Sequence, residues 1–172
     1  KGDINGLYES FRFMAIDNDN TIWASHPYRG IYKLHLSPDN KNFTYQLFTE
    51  DNGLPSTLEN YVFKIRNKVV FATSKGIYEF NAAKNIFSPS PFLSPVFHDM
   101  DIRYLKEDSD GDIWFCSCKK VGVVIFNNSD SNQPFKITWF PELTGQILSG
   151  FENIYPYNKE NIFISSEKGI IH

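Results

Sequence analysis

A glycine followed by a short apolar or aromatic run occurs four times along this chain. The four copies are Gly30-Ile31-Tyr32-Lys33, Gly76-Ile77-Tyr78-Glu79, Gly122-Val123-Val124-Ile125 and Gly169-Ile170-Ile171-His172. Their glycines fall 46, 46 and 47 residues apart. A fixed period of about 40 to 50 residues made of strands and turns is the sequence pattern of a propeller blade. Such a unit cannot bury its apolar faces alone, so repeats of this kind must stack on one another.

Each period reads as four short strand-like runs. In the first they are residues 13–16, 21–25, 30–36 and 43–48, separated by Asp17-Asn18-Asp19-Asn20, the loop 26–29 and Ser37-Pro38-Asp39-Asn40. Asn, Asp, Pro and Gly supply the backbone geometry that turns need. Within the third run Ile31, Lys33 and His35 alternate with Tyr32, Leu34 and Leu36, the period of two that a pleated strand requires. The second period gives 61–65, 69–73 and 76–80. Its fourth strand is expected to be weak or at an edge, because Ser88-Pro89-Ser90-Pro91 donates poorly to a ladder. The third gives 102–106, 113–117, 123–126 and 135–140, and the fourth gives 153–155 and 162–166 before ending inside its third run. No stretch keeps a helical period.

The repeats occupy approximately 6–52, 53–98, 99–145 and 146–172, about 3.7 periods in 172 residues. Asn5-Gly6-Leu7 returns as Asn52-Gly53-Leu54, so the chain is expected to begin at the end of one repeat. Closed propellers usually have four to eight blades. The expected fold is therefore all-β, with four-stranded antiparallel propeller blades forming part of a larger seven- or eight-bladed ring. A closed four-bladed ring is the alternative. An open slice exposes strand edges and so invites pairing with the remaining blades or with a second copy as a homodimer.

Composition removes several function classes. Apolar residues at 41% and charged residues at 22% describe a globular chain, and 16% aromatic residues suit strands. A net charge of −3 without a basic tract leaves no footprint for nucleic acid. No run of about 18 apolar residues is present, so this segment is expected to meet a membrane only through other parts of a parent chain. Cys116 and Cys118 make no disulfide framework.

In a meandering blade, connections alternate between the two faces of the disc. The first-to-second turns (17–20, 66–68, 108–112, 158–161) share a face with the third-to-fourth turns. The loops 26–29, 74–75, 117–121 and 167–168 share the other face with the blade junctions 53–60, 94–100 and 144–152. The second face has the longer, less regular loops and is where a ligand is expected. His26, Tyr28 and Arg29 lie there, with a guanidinium for bidentate contacts and a phenol for stacking; the bland reading is an ordinary exposed loop. His98 and Asp99 lie on the same face and suggest a catalytic pair, but no activated Ser or Cys motif accompanies them.

Other constellations have structural readings. Trp23 and Trp114 share one repeat position and are read as inter-blade packing rather than a sugar-stacking pair. Asp108, Asp110 and Asp112 resemble a calcium loop, but Ile113 stands where a glycine is wanted and Lys119 where a glutamate is, so a polar turn is favoured. Cys116 and Cys118, two apart on an expected strand, would share a face; four ligands are needed for zinc, and packed small side chains are the favoured reading. Trp139 is placed on an outer strand, free to meet a neighbouring domain. No cofactor and no metal are expected.

The repeats resemble the two-component regulator propeller repeats of Bacteroidetes-type signalling receptors. That pattern, Asp-x-x-Gly-x-[Leu/Ile]-Trp, then Gly-Leu-Tyr, an aromatic strand and Asn-Gly-Leu-Pro, is matched by Asp108, Gly111, Ile113 and Trp114 in the third repeat. Ile22, Trp23, Gly30, Ile31 and Tyr32 match it in the first, and Asn52-Gly53-Leu54-Pro55 match the junction. Val70 and Phe163 replace the tryptophan in the second and fourth repeats. Residues 139–172 are also similar to the stretch that precedes a triple-tyrosine domain in such receptors. The resemblance implies a periplasmic sensor propeller that binds glycan fragments or another small ligand and performs no chemistry. A membrane segment would link it to a histidine kinase or a helix-turn-helix output. A propeller lyase or hydrolase using His98 and Asp99, and a protein-binding scaffold, are the rival readings.

Overall fold

The computed structural model describes residues 9–39, 41–127 and 133–172. One antiparallel sheet forms from each repeat. The first contains β1 (Phe13–Ile16), β2 (Ile22–His26), β3 (Gly30–Leu36) and β4 (Phe43–Phe48). The second contains β5 (Tyr61–Ile65), β6 (Lys68–Thr73), β7 (Gly76–Asn81) and β8 (Ile86–Pro89). The third contains β9 (Ile102–Glu107), β10 (Ile113–Ser117), β11 (Lys120–Phe126) and β12 (Phe135–Phe140). The last contains β13 (Ile154–Asn158), β14 (Asn161–Ser166) and β15 (Gly169–Ile171). Helix among the described residues is limited to α1 (Ser94–Phe97) and two 3-10 turns, Glu50–Asn52 and Pro141–Leu143. The expected Asn5-Gly6-Leu7 copy of the junction, and Asn40 of the Ser37–Asn40 turn, lie outside the described residues.

Within every sheet the strands follow chain order, each pairing with the next. β1, β5, β9 and β13 pack beside one another at the centre, which leaves β4, β8 and β12 outermost. This is a propeller arrangement of four blades, as the period requires. The short β8 sits at a sheet edge, where Pro89 removes no ladder bond that the sheet needs.

Strand alternation builds the core between sheets. Trp23, Ile31 and Phe48 of the first sheet pack on Val62, Val69, Phe71 and Phe87 of the second. The opposite side of the second sheet, with Val70, Ala72 and Ile77, packs on Ile113 and Phe115 of the third. Cys116 and Val121 in turn meet Ile154 and Ile164 of the fourth. Burying a Val, Leu, Ile or Phe side chain contributes about 1.5–3 kcal/mol, so these interfaces hold the stack together.

The β2–β3-type turns are hydrogen-bonded to the blade junctions. Glu59 N donates to Pro27 O, Cys118 N to Asp101 O, Gly145 N to Lys119 O and Glu167 N to Gln146 O. Both sets of loops therefore share one face of the disc, as expected from the strand order.

Two expectations need correction. The third run of the third repeat, expected at 123–126, starts three residues earlier: β11 begins at Lys120, because the apolar residues continue upstream to Val121 and a tight Cys118-Lys119 turn. Loop 117–121 is accordingly short. Gly30, Gly76 and Gly169 do begin β3, β7 and β15, all with left-handed φ (100°, 105° and 121°). Gly122 is needed for a different reason, since a Cβ there would lie 2.7 Å from Phe115 Cζ and 3.1 Å from Trp139 Cε3. The second correction concerns the cysteines. Cys118 is in the turn at φ 52° and exposed, whereas Cys116 is buried between the third and fourth sheets, so the two do not share a face.

Candidate functional site

On the face with the long loops, His26 is the last residue of β2 rather than part of a free loop, and it is buried. Its Nδ1 accepts from Tyr28 N at 3.1 Å, which leaves Nε2 to donate to Glu9 at 3.2 Å. Arg29 Nη1 reaches the other oxygen of Glu9 at 3.3 Å. Tyr28 is largely exposed. Glu9 thus gathers His26 and Arg29 and leaves the Tyr28 ring and much of the Arg29 guanidinium open to solvent.

His98 caps α1 at the junction of the second and third sheets, and its Nδ1 lies 3.0 Å from Asp99 Oδ2. Both side chains are exposed, and Asp99 takes the left-handed conformation. The same face carries a denser network that the sequence did not announce. Arg103 is bound by both oxygens of Asp101 (3.0 and 2.8 Å), by Glu59 at 2.7 Å and by Tyr61 Oη at 3.3 Å. Burial alone would weaken the Arg103 charge, but Asp101, Glu59 and Tyr61 together push its pKa above the ordinary guanidinium value. This network is saturated by its own partners and ties the junction to β9.

The opposite face holds a cleft of about 270 Å³ between the first and second sheets. It opens beside the β1–β2 turn (Asp17, Asp19, Thr21) and is walled by Trp23, Lys33, Phe71 and Phe80, with Lys68 at its rim. Trp23 is only 2% exposed and sits in a cage of Phe48, Phe71, Phe80 and Phe87. The Lys33 ammonium lies over the Trp23 ring at 5.3 Å and over Phe80 at 4.9 Å. Packing is therefore the structural role of Trp23, as read from the sequence. Trp114 sits at a different interface, stacked on Phe140 at 5.4 Å, so the two tryptophans do not form a pair.

The Trp23 indole Nε1–H is buried without a hydrogen-bond partner. Thr21 Oγ1 is likewise unpaired; it stands near Asp19, outside hydrogen-bonding geometry but close enough to help lower that carboxyl. The third repeat solves the same problem differently. There Trp114 Nε1 donates to Asp108 Oδ2 at 3.1 Å, six residues upstream, while Asp108 Oδ1 accepts from Asp110 N and Asp112 N. Asp17 stands at the same six-residue distance from Trp23, in a turn with the same backbone bonds, and Asn20 (φ 64°) takes the place of Gly111 (φ 82°). In the first repeat, however, Asp19 takes the Thr21 N–H at 2.9 Å and Asp17 turns to its neighbour Asn18 N at 2.8 Å. Nothing then draws the Asp17 carboxylate toward the indole.

The acidic turn of the third repeat is occupied by its own chain. Besides the bonds of Asp108, Asp112 accepts from Phe126 N at 3.1 Å and Asp110 faces Lys159 at 3.6 Å. Sequence reasoning missed the cleft because it looked to long loops. One signal was legible: Lys33 lies on the buried side of β3 with Ile31, a charge where the alternation calls for an apolar residue.

No family model matches the sequence, and no curated protein matches it. Among solved structures, the chain is similar to the extracellular domain of the hybrid two-component system BT4673 from B. thetaiotaomicron, at 18% identity and a TM-score of 0.64 over 97% of this chain. The extracellular domain of BT3049, a hybrid two-component system of the same organism, aligns at 21% identity and a TM-score of 0.56 over 93% of the chain. A streptogramin B lyase aligns at 16% identity and a TM-score of 0.50 over 96% of the chain, covering 55% of the lyase. The chain spans only 23% and 21% of the two extracellular domains. At these identities the comparisons establish the propeller fold alone.

Proposed function

We propose that this chain is a ligand-sensing propeller segment of an extracytoplasmic receptor, of the two-component or a related regulatory type. It responds to a glycan fragment or another small nutrient and performs no chemistry itself. The observation that carries this reading is the alignment of nearly the whole four-sheet stack with the extracellular domains of BT4673 and BT3049. The repeat motifs around Trp23, Trp114 and Asn52-Gly53-Leu54-Pro55 point the same way. Binding shifts a pre-existing equilibrium between receptor states, which requires different affinities for the two. Isothermal titration against a panel of oligosaccharides is the test: at least one saturable isotherm is expected, and uniformly flat titrations contradict the reading.

The streptogramin B lyase likeness favours one rival, a propeller lyase acting through the exposed His98–Asp99 pair. That rival requires substrate turnover that falls in His98→Ala. On the sensor reading His98→Ala changes at most ligand affinity, together with His26, Tyr28, Arg29 and Asp99 on the same face.

A further inference from the structure

We propose that the cleft between the first and second sheets binds one neutral, hydroxyl-bearing ring, a single sugar residue, with the Trp23 indole N–H as the donor at its base. The proposal rests on the sensor reading and adds to it a site on the face opposite His26, Tyr28, Arg29, His98 and Asp99.

Leaving a buried donor unpaired costs about 1–3 kcal/mol. The third repeat avoids that cost with Asp108, and the first repeat keeps an aspartate at the same spacing yet leaves Trp23 Nε1 open. An incoming hydroxyl oxygen supplies the missing acceptor. The volume, about 270 Å³, lies just under the range of about 300–1,000 Å³ usual for ligand pockets, so it suits one ring rather than a chain. Three carboxylates (Asp17, Asp19, Glu79) and two ammoniums (Lys33, Lys68) line it, a lining of mixed sign with one negative charge in excess, which disfavours an anion. Hydroxyls both donate and accept, so they satisfy both kinds of group. Phe71 and Phe80 supply apolar wall for the C–H face of a ring. The Lys33 ammonium lies over the indole at 5.3 Å, so a ligand that reaches the N–H displaces a flexible side chain and gives up that cation–π contact. A cleft of about 420 Å³ at the matching position between the third and fourth sheets serves as an internal control. It is lined by Trp114, Phe140, Ile162 and Ile171, and its indole is already bonded.

The test is a ¹H–¹⁵N spectrum of the three tryptophan indoles in the 172-residue chain. The chain is titrated with D-glucose, D-galactose, D-mannose and L-arabinose, with glycine and L-glutamate as charged controls. The Trp23 resonance is expected to move saturably with at least one neutral sugar while that of Trp114 stays put. Trp23→Phe keeps the ring and removes the donor, so affinity falls roughly five- to tenfold, the effect of one hydrogen bond. Asp17→Ala, in an exposed turn, also weakens binding and serves as the variant that leaves the core untouched. Sugar binding by calorimetry with an unmoved Trp23 indole and unchanged affinity in both variants overturns the site while the sensor reading stands. Shifts with the amino acids alone overturn the ligand class. If every sugar and every oligosaccharide gives neither heat nor shift, both readings fall.

Discussion

Trp23 and Trp114 occupy one repeat position and differ in one hydrogen bond, so paired substitutions separate packing from polar satisfaction. Trp114→Phe breaks the bond to Asp108 and is expected to cost about 1 kcal/mol or more, since it also leaves a carboxylate oxygen unpaired. Trp23→Phe in the unliganded chain breaks no hydrogen bond, so its cost comes from the cavity left among Phe48, Phe71, Phe80 and Phe87 alone; urea unfolding of both variants measures the contrast. Glycines separate in the same way. Gly30→Ala meets both a left-handed φ and Phe48 O at 2.2 Å, so it should destabilise well beyond Gly169→Ala, which meets only the φ, a strain of about 1–2 kcal/mol. Asp19 gives a pH signature. The Thr21 N–H, then the Thr21 hydroxyl, hold its carboxyl below the usual range, so the ionised form favours the fold. Its contribution is complete above about pH 4 and disappears as pH falls through the lower native pKa, and Asp19→Asn should flatten that acid limb of stability. Burial, and then Glu152, push the Cys116 thiol up to about 12, so a thiol reagent should label Cys118 in the native chain and Cys116 only on unfolding.

At the scale of strands and turns, the sequence was most legible where alternation and turn chemistry agreed. Residues 13–16, 30–36, 43–48 and 61–65 are strands with those bounds, because polar turn residues flank each run. Reading was poorer at β11, where Cys118 and Lys119 take a two-residue turn that neither glycine nor proline signals. Beyond the packing role of Trp23 and Trp114, the contacts between blades could not be read, because they join residues far apart in the chain. Arg66 is an example: its guanidinium lies 4.2 Å from the Phe92 ring centre and 4.4 Å from that of Phe126, and its N–H donates to Glu107 at 2.7 Å. Arg66→Ala keeps the turn and the backbone bond but removes the cation from both rings. A loss of about 1 kcal/mol, read from the shift in urea midpoint, is expected for this latch between the second and third blades.

Over the whole molecule, the outer faces of the first and last sheets both carry exposed apolar residues, although on the first Phe11 packs against the buried Ala24, Tyr32 and Leu34. Met14, Ile16, Tyr45 and Leu47 are exposed on the first. Tyr155, Phe163 and Ile170 are exposed on the last, where they correspond in register to residues that the first sheet buries, such as Trp23 and Ile31. The last face matches what an adjoining blade covers elsewhere in the stack, and we propose a further blade or a second copy as its partner. The 172-residue chain is expected to self-associate in sedimentation experiments, and Ile170→Lys should shift it toward the monomer. The repeat thus disclosed the architecture, whereas the cleft beside Trp23 came from one aspartate turning away from its expected partner. We propose that this propeller binds a small sugar without transforming it. One measurement tests both halves: ¹H spectra of the sugars, with saturation transfer from the protein, recorded at mixing and after prolonged incubation. Transfer to at least one sugar whose spectrum stays unchanged is the predicted result. Absence of transfer to every sugar, or new product signals that grow with time, contradicts it.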